Sequence, residues 1–431
     1  MKRTTWAIVA LLPFVALVVS LASGGIGKPA AAQDRQTQAR EVPKFQVDPS
    51  WPKLPSKWVL GVVSGVNVDA QDNIWVLHRP RDVKPELKSR AAPPVLEFDA
   101  AGNFIQGWGG PGEGYEWPGR EHGISIDYKG NVWIGGSGTG RVRENEVEPN
   151  DDQILKFTNA GKFVMQIGHS GQSKGNADPN NVHGPADVTV YPKTNEVFVA
   201  DGYGNRRIIV FDADTGAFKR MWGAFGNVPT DPPPSSGLRR GPGSAAATQY
   251  DEGPGPPQFN NVHSARVSND GLVYVSDRAG KRVQVFTLEG KYLTQVFLSR
   301  GKMPPSTLPG MAFGKPIREL ADGLANDGMT ASRTAFSADP QQRFLYVIDR
   351  IKQQIVILDR KTLEILGAFG DGPGSAPGQF YVLHDVATDS KGNVYTAEVR
   401  GNFIYTAEVD LGNRRAQKFV FKGMSPATST K

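Results

Sequence analysis

Residues 258–286, QFNNVHSARVSNDGLVYVSDRAGKRVQVF, carry the phrase that decides the fold. A turn-rich lead-in runs into a strand holding a histidine, VHSARV. A short turn follows, then an apolar strand ending in Ser276-Asp277-Arg278, then a third strand, RVQVF. The phrase returns as EHGISIDYKGNVWIGG at 121–136, PADVTVYPKTNEVFVADGYGNRRIIVF at 185–211, TAFSADPQQRFLYVIDRIKQQIVIL at 334–358 and LHDVATDSKGNVYTAEV at 383–399. A worn first copy is VSGVNVDAQDNIWVLHR at 63–79. Short apolar runs broken by Gly, Asn and Asp are the pattern of strands and tight turns, and helical periodicity is nearly absent. A fourth strand closes each copy in a hairpin, as in PPVLEFDAAGNFIQGWG (93–109) and IVILDRKTLEILGAFG (355–370). Six copies of a four-strand unit predict an all-β chain, a six-bladed β-propeller around a central channel.

Residues 1–32 read as a secretory signal peptide, with Lys2 and Arg3 ahead of an apolar stretch and Ala30-Ala31-Ala32 as a small-residue cleavage site. An uncleaved membrane anchor is the alternative. Either way the body is expected outside the cytoplasm, secreted or periplasmic. Residues 33–44 are expected to be a flexible tether, and 45–60 a lead-in strand on the outside of the first blade. The propeller is expected over 45–423, with 424–431 as a C-terminal tail. Three connections are longer: the acidic 139–152, the Pro-, Gly- and Ser-rich 227–257, and 300–333. Such loops commonly rim a propeller mouth. In the last copy the string YTAEV is written twice, at 395–399 and 405–409, and either could take the strand.

The chain has no cysteine, which excludes a disulfide framework and thiolate chemistry. Its net charge of +6 is modest, and basic residues are mixed with acidic ones rather than interleaved with aromatics, so nucleic acid is not an expected partner. The expected partner is a small molecule or peptide, with the chain a monomer.

Function should be written where the copies differ. There are six histidines. Registering the copies on their first strands puts His122 (HGISID), His263 (HSARVS) and His384 (HDVATD) in one phase, with Ser64, Ala186 and Thr334 there in the other blades. First strands line a propeller's channel, so three imidazoles from alternate blades converge on the axis. That arrangement suits a transition metal with three neutral nitrogen ligands and an open position, as in catalytic zinc sites; iron and cobalt accept the same ligands. The competing reading is that strand-start histidines cap turns or satisfy core hydrogen bonds. His183 is out of phase, and His78 and His169 lack such support. At the end of the second strand, Asp277 and Arg350 fit a common structural pattern, whereas Arg79 and Tyr203 depart from it.

Taken together, VSGVNVD with His78-Arg79, HGISID, DGYGNRRIIVF, VHSARV with SDRAGKRVQVF, and HDVATD resemble the peptidyl-α-hydroxyglycine α-amidating lyase family, a six-bladed propeller of the NHL-repeat type. The resemblance spans nearly the whole chain after residue 45. It implies that His122, His263 and His384 hold zinc, that Tyr203 is the catalytic base, and that Arg79 and Arg278 are site arginines that grip a carboxylate. It further implies a structural calcium on the backbone carbonyls of Val66 and Ile124 and the carboxylate of Asp385. The implied reaction cleaves the N–C bond of a peptidyl-α-hydroxyglycine, giving an amide and glyoxylate. Animal members carry disulfides, one beside the catalytic tyrosine; here Gly204 follows Tyr203 and there is no cysteine. Two other readings are a non-enzymatic NHL-repeat propeller that binds a protein or glycan, and a calcium-dependent lactonase-like hydrolase. The three-histidine phase argues against the second of these.

Overall fold

In the computed structural model, the described residues are 41–231, 253–300, 329–399 and 415–427, apart from 141, 144, 145, 148, 375 and 381. Six four-stranded antiparallel sheets form the body, and a two-stranded ribbon (Val142–Arg143 with Glu146–Val147) rises within the second. The first strand of each sheet is innermost: Val62–Val68, Glu121–Ile126, Pro185–Tyr191, Val262–Val267, Ala331–Phe336 and Leu383–Thr388. These strands touch their neighbours in chain order, and the last touches the first, so they ring a central channel. The protein is a six-bladed β-propeller, as its repeats predict.

Second strands such as Ile74–Arg79 and Phe344–Asp349 are buried along their whole length, because blades cover both of their faces. That is why IWVLHR and FLYVID read as continuous apolar runs rather than alternations. The core lies between blades. Phe198, Val210 and Trp222 of the third pack on Ala265, Val275 and Phe286 of the fourth. Tyr395 and Ala397 of the sixth pack on Val63, Val76 and Leu96 of the first.

A repeated aspartate fixes the hairpin between the first two strands. Asp127 Oδ1 accepts the N–H groups of Lys129 and Asn131, and its Oδ2 accepts Trp133 Nε1–H. Asp69 does the same for Gln71, Asn73 and Trp75, and Asp389 for Lys391, Asn393 and the Tyr395 hydroxyl. These side chains mimic a backbone turn and lock strand register. Register in turn sets which residue begins each inner strand at the far end of the channel.

Two expectations about the ends of the propeller change. The N-terminal strand Glu41–Asp48 does not lie on the first blade; it pairs with Ala416–Pro426 as the outermost strand of the sixth. Phe45 explains the choice, since its ring sits 4.3 Å from Phe369 and 5.8 Å from Tyr346. Residues 41–44 therefore belong to the sheet rather than to a tether, and 424–426 to its partner strand rather than to a tail. Only the segment that follows reaches the first blade, where Lys53 N donates to Gly102 O at 2.9 Å. The first YTAEV copy takes the strand, Val394–Glu398. The second copy, the signal-peptide region and most of 227–257 and 300–333 lie outside the described residues. Among the described residues no helix is long and apolar enough to cross a membrane.

The N-terminal strand clamps the ring shut, so it should matter for global stability. Phe45→Ala is expected to cost about 2–3 kcal/mol in urea unfolding, somewhat less than for a fully buried phenylalanine. An unchanged midpoint would mean that the clamp carries no load.

Candidate metal centre

Every inner strand begins with a break in its ladder to the second strand. The ladder skips Ser64, His122, Ala186, His263 and His384, and in the fifth blade it skips Ser332 and Arg333 together. A bulge of this kind re-aims a side chain out of the sheet. It corrects the sequence register in one place: the fifth-blade equivalent of the histidines is Ser332, not Thr334, which pairs with Val347 two steps further on.

The three in-phase histidines converge. Their ring centroids form a near-equilateral triangle, with sides of 4.9 Å (His122–His263), 4.6 Å (His122–His384) and 4.9 Å (His263–His384). Each is essentially fully buried. Each Nδ1 meets a backbone carbonyl of the next blade: His122 meets Ala186 O at 2.8 Å, His263 meets Ser332 O at 2.9 Å and His384 meets Ser64 O at 2.8 Å. A carbonyl only accepts, so all three Nδ1 atoms carry the proton and all three Nε2 atoms are bare acceptors. The skipped residues of the alternate blades thus hold the rings of the other three.

This donor set fits a metal ion. His122 Nε2 and His384 Nε2 lie 3.1 Å apart, lone pair toward lone pair, and one ligand atom from each of the three histidines falls within 4.8 Å of the others. Protonation does not relieve the contact. Burial first, then neighbouring charges including Arg333 and Arg278, holds all three imidazoles well below their ordinary pKa and hence neutral. Three neutral imidazole nitrogens, each oriented by a carbonyl behind it, form a cluster that could hold a metal ion.

Tyr203 is brought to the same point. Its hydroxyl lies 2.8 Å from His122 Nε2 and 3.2 Å from His263 Nε2. It stands on the turn after the strand Glu196–Asp201, between two glycines that the packing requires. A Cβ at Gly202 would fall 1.9 Å from Val262 O, and one at Gly204 would fall 1.7 Å from the His183 ring. Tyr203 N donates to Gly184 O at 3.1 Å and Gly204 N to His183 O at 2.8 Å. His183, out of phase with the other histidines, therefore braces the tyrosine turn, and its Nδ1 pairs with Asp152 at 2.6 Å. His78 is structural: it is fully buried, its Nδ1 accepts Gly61 N–H and its Nε2 meets Pro93 O.

Arginines surround the phenol. The Arg278 guanidinium lies 5.4 Å from the Tyr203 ring centroid. Arg79 is buried and donates from Nε to Glu121 O at 2.7 Å. Burial opposes ionisation of Tyr203, but Arg278, Arg120, Arg79 and Arg350 outweigh it and hold the phenol below the usual tyrosine range. Burial, with Arg120 close by, lowers Arg79 to about 10. Arg120 and Arg350 were not singled out by the repeats, since Asp-Arg at a strand end reads as structural and Arg120 precedes the strand.

The turns bearing Tyr203 and Arg278 are built alike. Asp201 and Arg207 form a fully buried pair at 2.9 Å, and Arg207 also donates to the carbonyls of Asn176, Asp178 and Asn181. Asp277 and Arg282 pair at 3.1 Å, with Arg282 donating to Pro254, Pro256 and Gln258. The Asp of each motif thus braces the turn that carries Tyr203 or Arg278.

The residues expected to hold calcium do not fit that ion. Asp385 Oδ2 accepts Val66 N–H at 3.1 Å and Oδ1 accepts Val386 N–H at 2.8 Å. It already faces a cation, Arg333, whose Nε lies 3.7 Å from Oδ1 with both side chains fully buried. A divalent ion on Asp385 and the carbonyls of Val66 and Ile124 would have to share a low-dielectric space with that guanidinium. Register explains why the sequence hid this: Arg333 stands one residue before the position expected to align with the histidines.

Fold and site together define a six-bladed propeller with a buried three-histidine centre in its channel. No family model matches the chain. The chain is homologous to NHL-repeat and peptidyl-glycine α-amidating proteins at modest identity. Human NHL repeat-containing protein 3 is 25% identical over 329 residues, 74% of this chain and 79% of that protein. Peptidyl-glycine alpha-amidating monooxygenase A of Xenopus laevis is 27% identical over 393 residues, 87% of this chain but 34% of that protein. The probable peptidyl-alpha-hydroxyglycine alpha-amidating lyase of Caenorhabditis elegans is 28% identical over 167 residues, 38% of this chain and 36% of that one. The match covers 57% of the mouse NHL repeat-containing protein 3. A solved virginiamycin B lyase of Staphylococcus aureus superposes with a TM-score of 0.43 at 12% identity, over 83% of this chain and 82% of that one; at that distance it says nothing about chemistry.

The scaffold reading of the Asp-Arg pairs is testable. Arg207→Met leaves Asp201 buried without its cation and is expected to cost about 3–5 kcal/mol in denaturant unfolding. A loss within the scatter of surface substitutions would contradict it.

Proposed function

We propose that the protein is an exported, transition-metal-dependent carbon–nitrogen lyase that cleaves a peptidyl-α-hydroxyglycine or a related α-hydroxy amide, with zinc as the metal. The observation that carries this reading is the Tyr203 hydroxyl held against the Nε2 atoms of His122 and His263. A proton-transfer group beside an electrophilic centre is what a carbinolamide needs: its hydroxyl proton must leave as C–N breaks.

Bound at the three histidines, zinc would polarise the substrate's oxygen and lower the pKa of its hydroxyl. The chain's own residues supply the rest. Arg79 and Arg278 orient the carboxylate beside the α-carbon, for which a guanidinium fork is suited. Tyr203, ionised with the help of the surrounding arginines, takes the hydroxyl proton. The C–O bond becomes a carbonyl, the C–N electron pair leaves with nitrogen, and the proton returns from Tyr203 to that nitrogen. The products are an amide and glyoxylate, with no co-reactant consumed. Homology to amidating proteins supports the reaction class, and the charged-then-apolar N-terminus with its Ala-Ala-Ala site supports export. A monomer acting on a small or peptide substrate is the simplest assembly for a site inside the channel.

A second reading is an NHL-repeat propeller that binds a protein or glycan partner without catalysis; the name of the matched human NHL repeat-containing protein 3 states no activity. One assay separates them. Zinc-reconstituted protein given a peptidyl-α-hydroxyglycine is expected to release glyoxylate. Tyr203→Phe should lower the rate about 10²-fold or more, while retaining the metal. His263→Ala should lose both. Undiminished turnover in either variant would contradict the assigned roles, and no turnover by the wild type would favour partner binding.

A further inference from the structure

One step along the inner strands from the histidines, the channel holds a second polar cluster that the lyase chemistry does not use. The residues at this step are Gly65, Gly123, Asp187, Ser264, Arg333 and Asp385. Three are small and three are charged, and the charged ones meet. Arg333 is fully buried; its Nη1 pairs with Asp187 Oδ1 and its Nε faces Asp385 Oδ1 at 3.7 Å. Its Nη2 donates to Ala186 O at 2.7 Å, the carbonyl that also receives His122 Nδ1–H. Arg266 completes the set, 2.6 Å from Asp187 Oδ2. Asp385 follows the ligand-type residue His384 directly and ties to Val66 of the first blade.

We propose that Arg333 is a built-in cation standing where the chain's relatives in pattern would bind calcium, so that this protein's histidine cage is held without a structural divalent ion. Two carboxylates buried in the channel need positive charge to be tolerated. A guanidinium supplies it permanently. Its planar fork reaches two carboxylates and a carbonyl at once, which a lysine ammonium does not do as a fixed array. Through Ala186 and Asp385 it braces the strands beside His122 and His384, making it a positioning residue. This inference is independent of the lyase reading, because it concerns only how the cage is held.

The test reads calcium and stability, not turnover. Wild-type protein dialysed against calcium-free buffer and measured by elemental analysis should hold far less than one calcium per chain. Adding millimolar calcium chloride should shift its Tm by less than about 1 °C, because an ion that does not bind the folded state does not stabilise it. Arg333→Met leaves one guanidinium facing two carboxylates and should lower Tm by about 5 °C or more. Adding Asp385→Asn removes the carboxylate left without its cation while Asp187 keeps Arg266, and should recover part of that loss. If the single variant does not fold, recovery of folded protein in the double variant is the equivalent result. A stoichiometric calcium in the wild type would overturn the proposal. So would wild-type stability in Arg333→Met, or a double variant no better than the single one.

Discussion

The structure depends on a hydrogen bond made three times, from histidine Nδ1 to a backbone carbonyl in the next blade. It does two things at once. It ties neighbouring blades together through their inner strands, and it decides the tautomer of each imidazole. With Nδ1–H committed outward, Nε2 can only present a lone pair to the channel. Three such lone pairs, two of them 3.1 Å apart, store an electrostatic demand that a metal ion answers. The bond exists because the ladder is bulged at the same point in every blade, so that inner-strand carbonyls and side chains face the channel rather than the second strand. The histidine cage is thus a property of the repeat, with three blades supplying the imidazoles and three supplying the carbonyls that hold them.

Around that centre the charges are arranged in tiers. On one side, arginines hold the Tyr203 phenol below its usual pKa even though burial alone would raise it. On the other, Arg333 and Arg266 face Asp187 and Asp385 in a buried lattice. Burial works against the charge on Arg333, but the two carboxylates outweigh it and raise its pKa further. For the Asp385 carboxyl burial wins instead, raising it on balance against the pull of Arg333 and Arg266. Each tier consists of groups that are costly alone and tolerable together.

Much of this was legible in the chain. Repeat copies gave blade number and strand order, helped by a register device that three of the six hairpins carry, the Asp-turn-Asn-aromatic pattern seen at Asp69, Asp127 and Asp389. The phase of His122, His263 and His384 was legible for the same reason. What resisted reading was whatever depends on partners distant in sequence. The strand at 41–48 gave no sign that its partner lay at 416–426, because ring closure is a property of the whole chain and not of any local segment. In the fifth blade the apolar pattern aligned Thr334 with the histidines, two residues past the true equivalent Ser332, which concealed Arg333 and made Asp385 look available to calcium. The arginine shell around Tyr203 was likewise partly hidden, since Arg350 shares a strand-end motif with residues that only stabilise turns.

Metal content tests the central claim most directly: wild-type protein and His122→Ala, each reconstituted with zinc, dialysed and measured by elemental analysis. The account predicts one transition-metal equivalent per chain in the wild type and its loss in the variant, with the variant still folded by circular dichroism. Absence of tightly held metal in the reconstituted wild type, or retention of a full equivalent in folded His122→Ala, would contradict it.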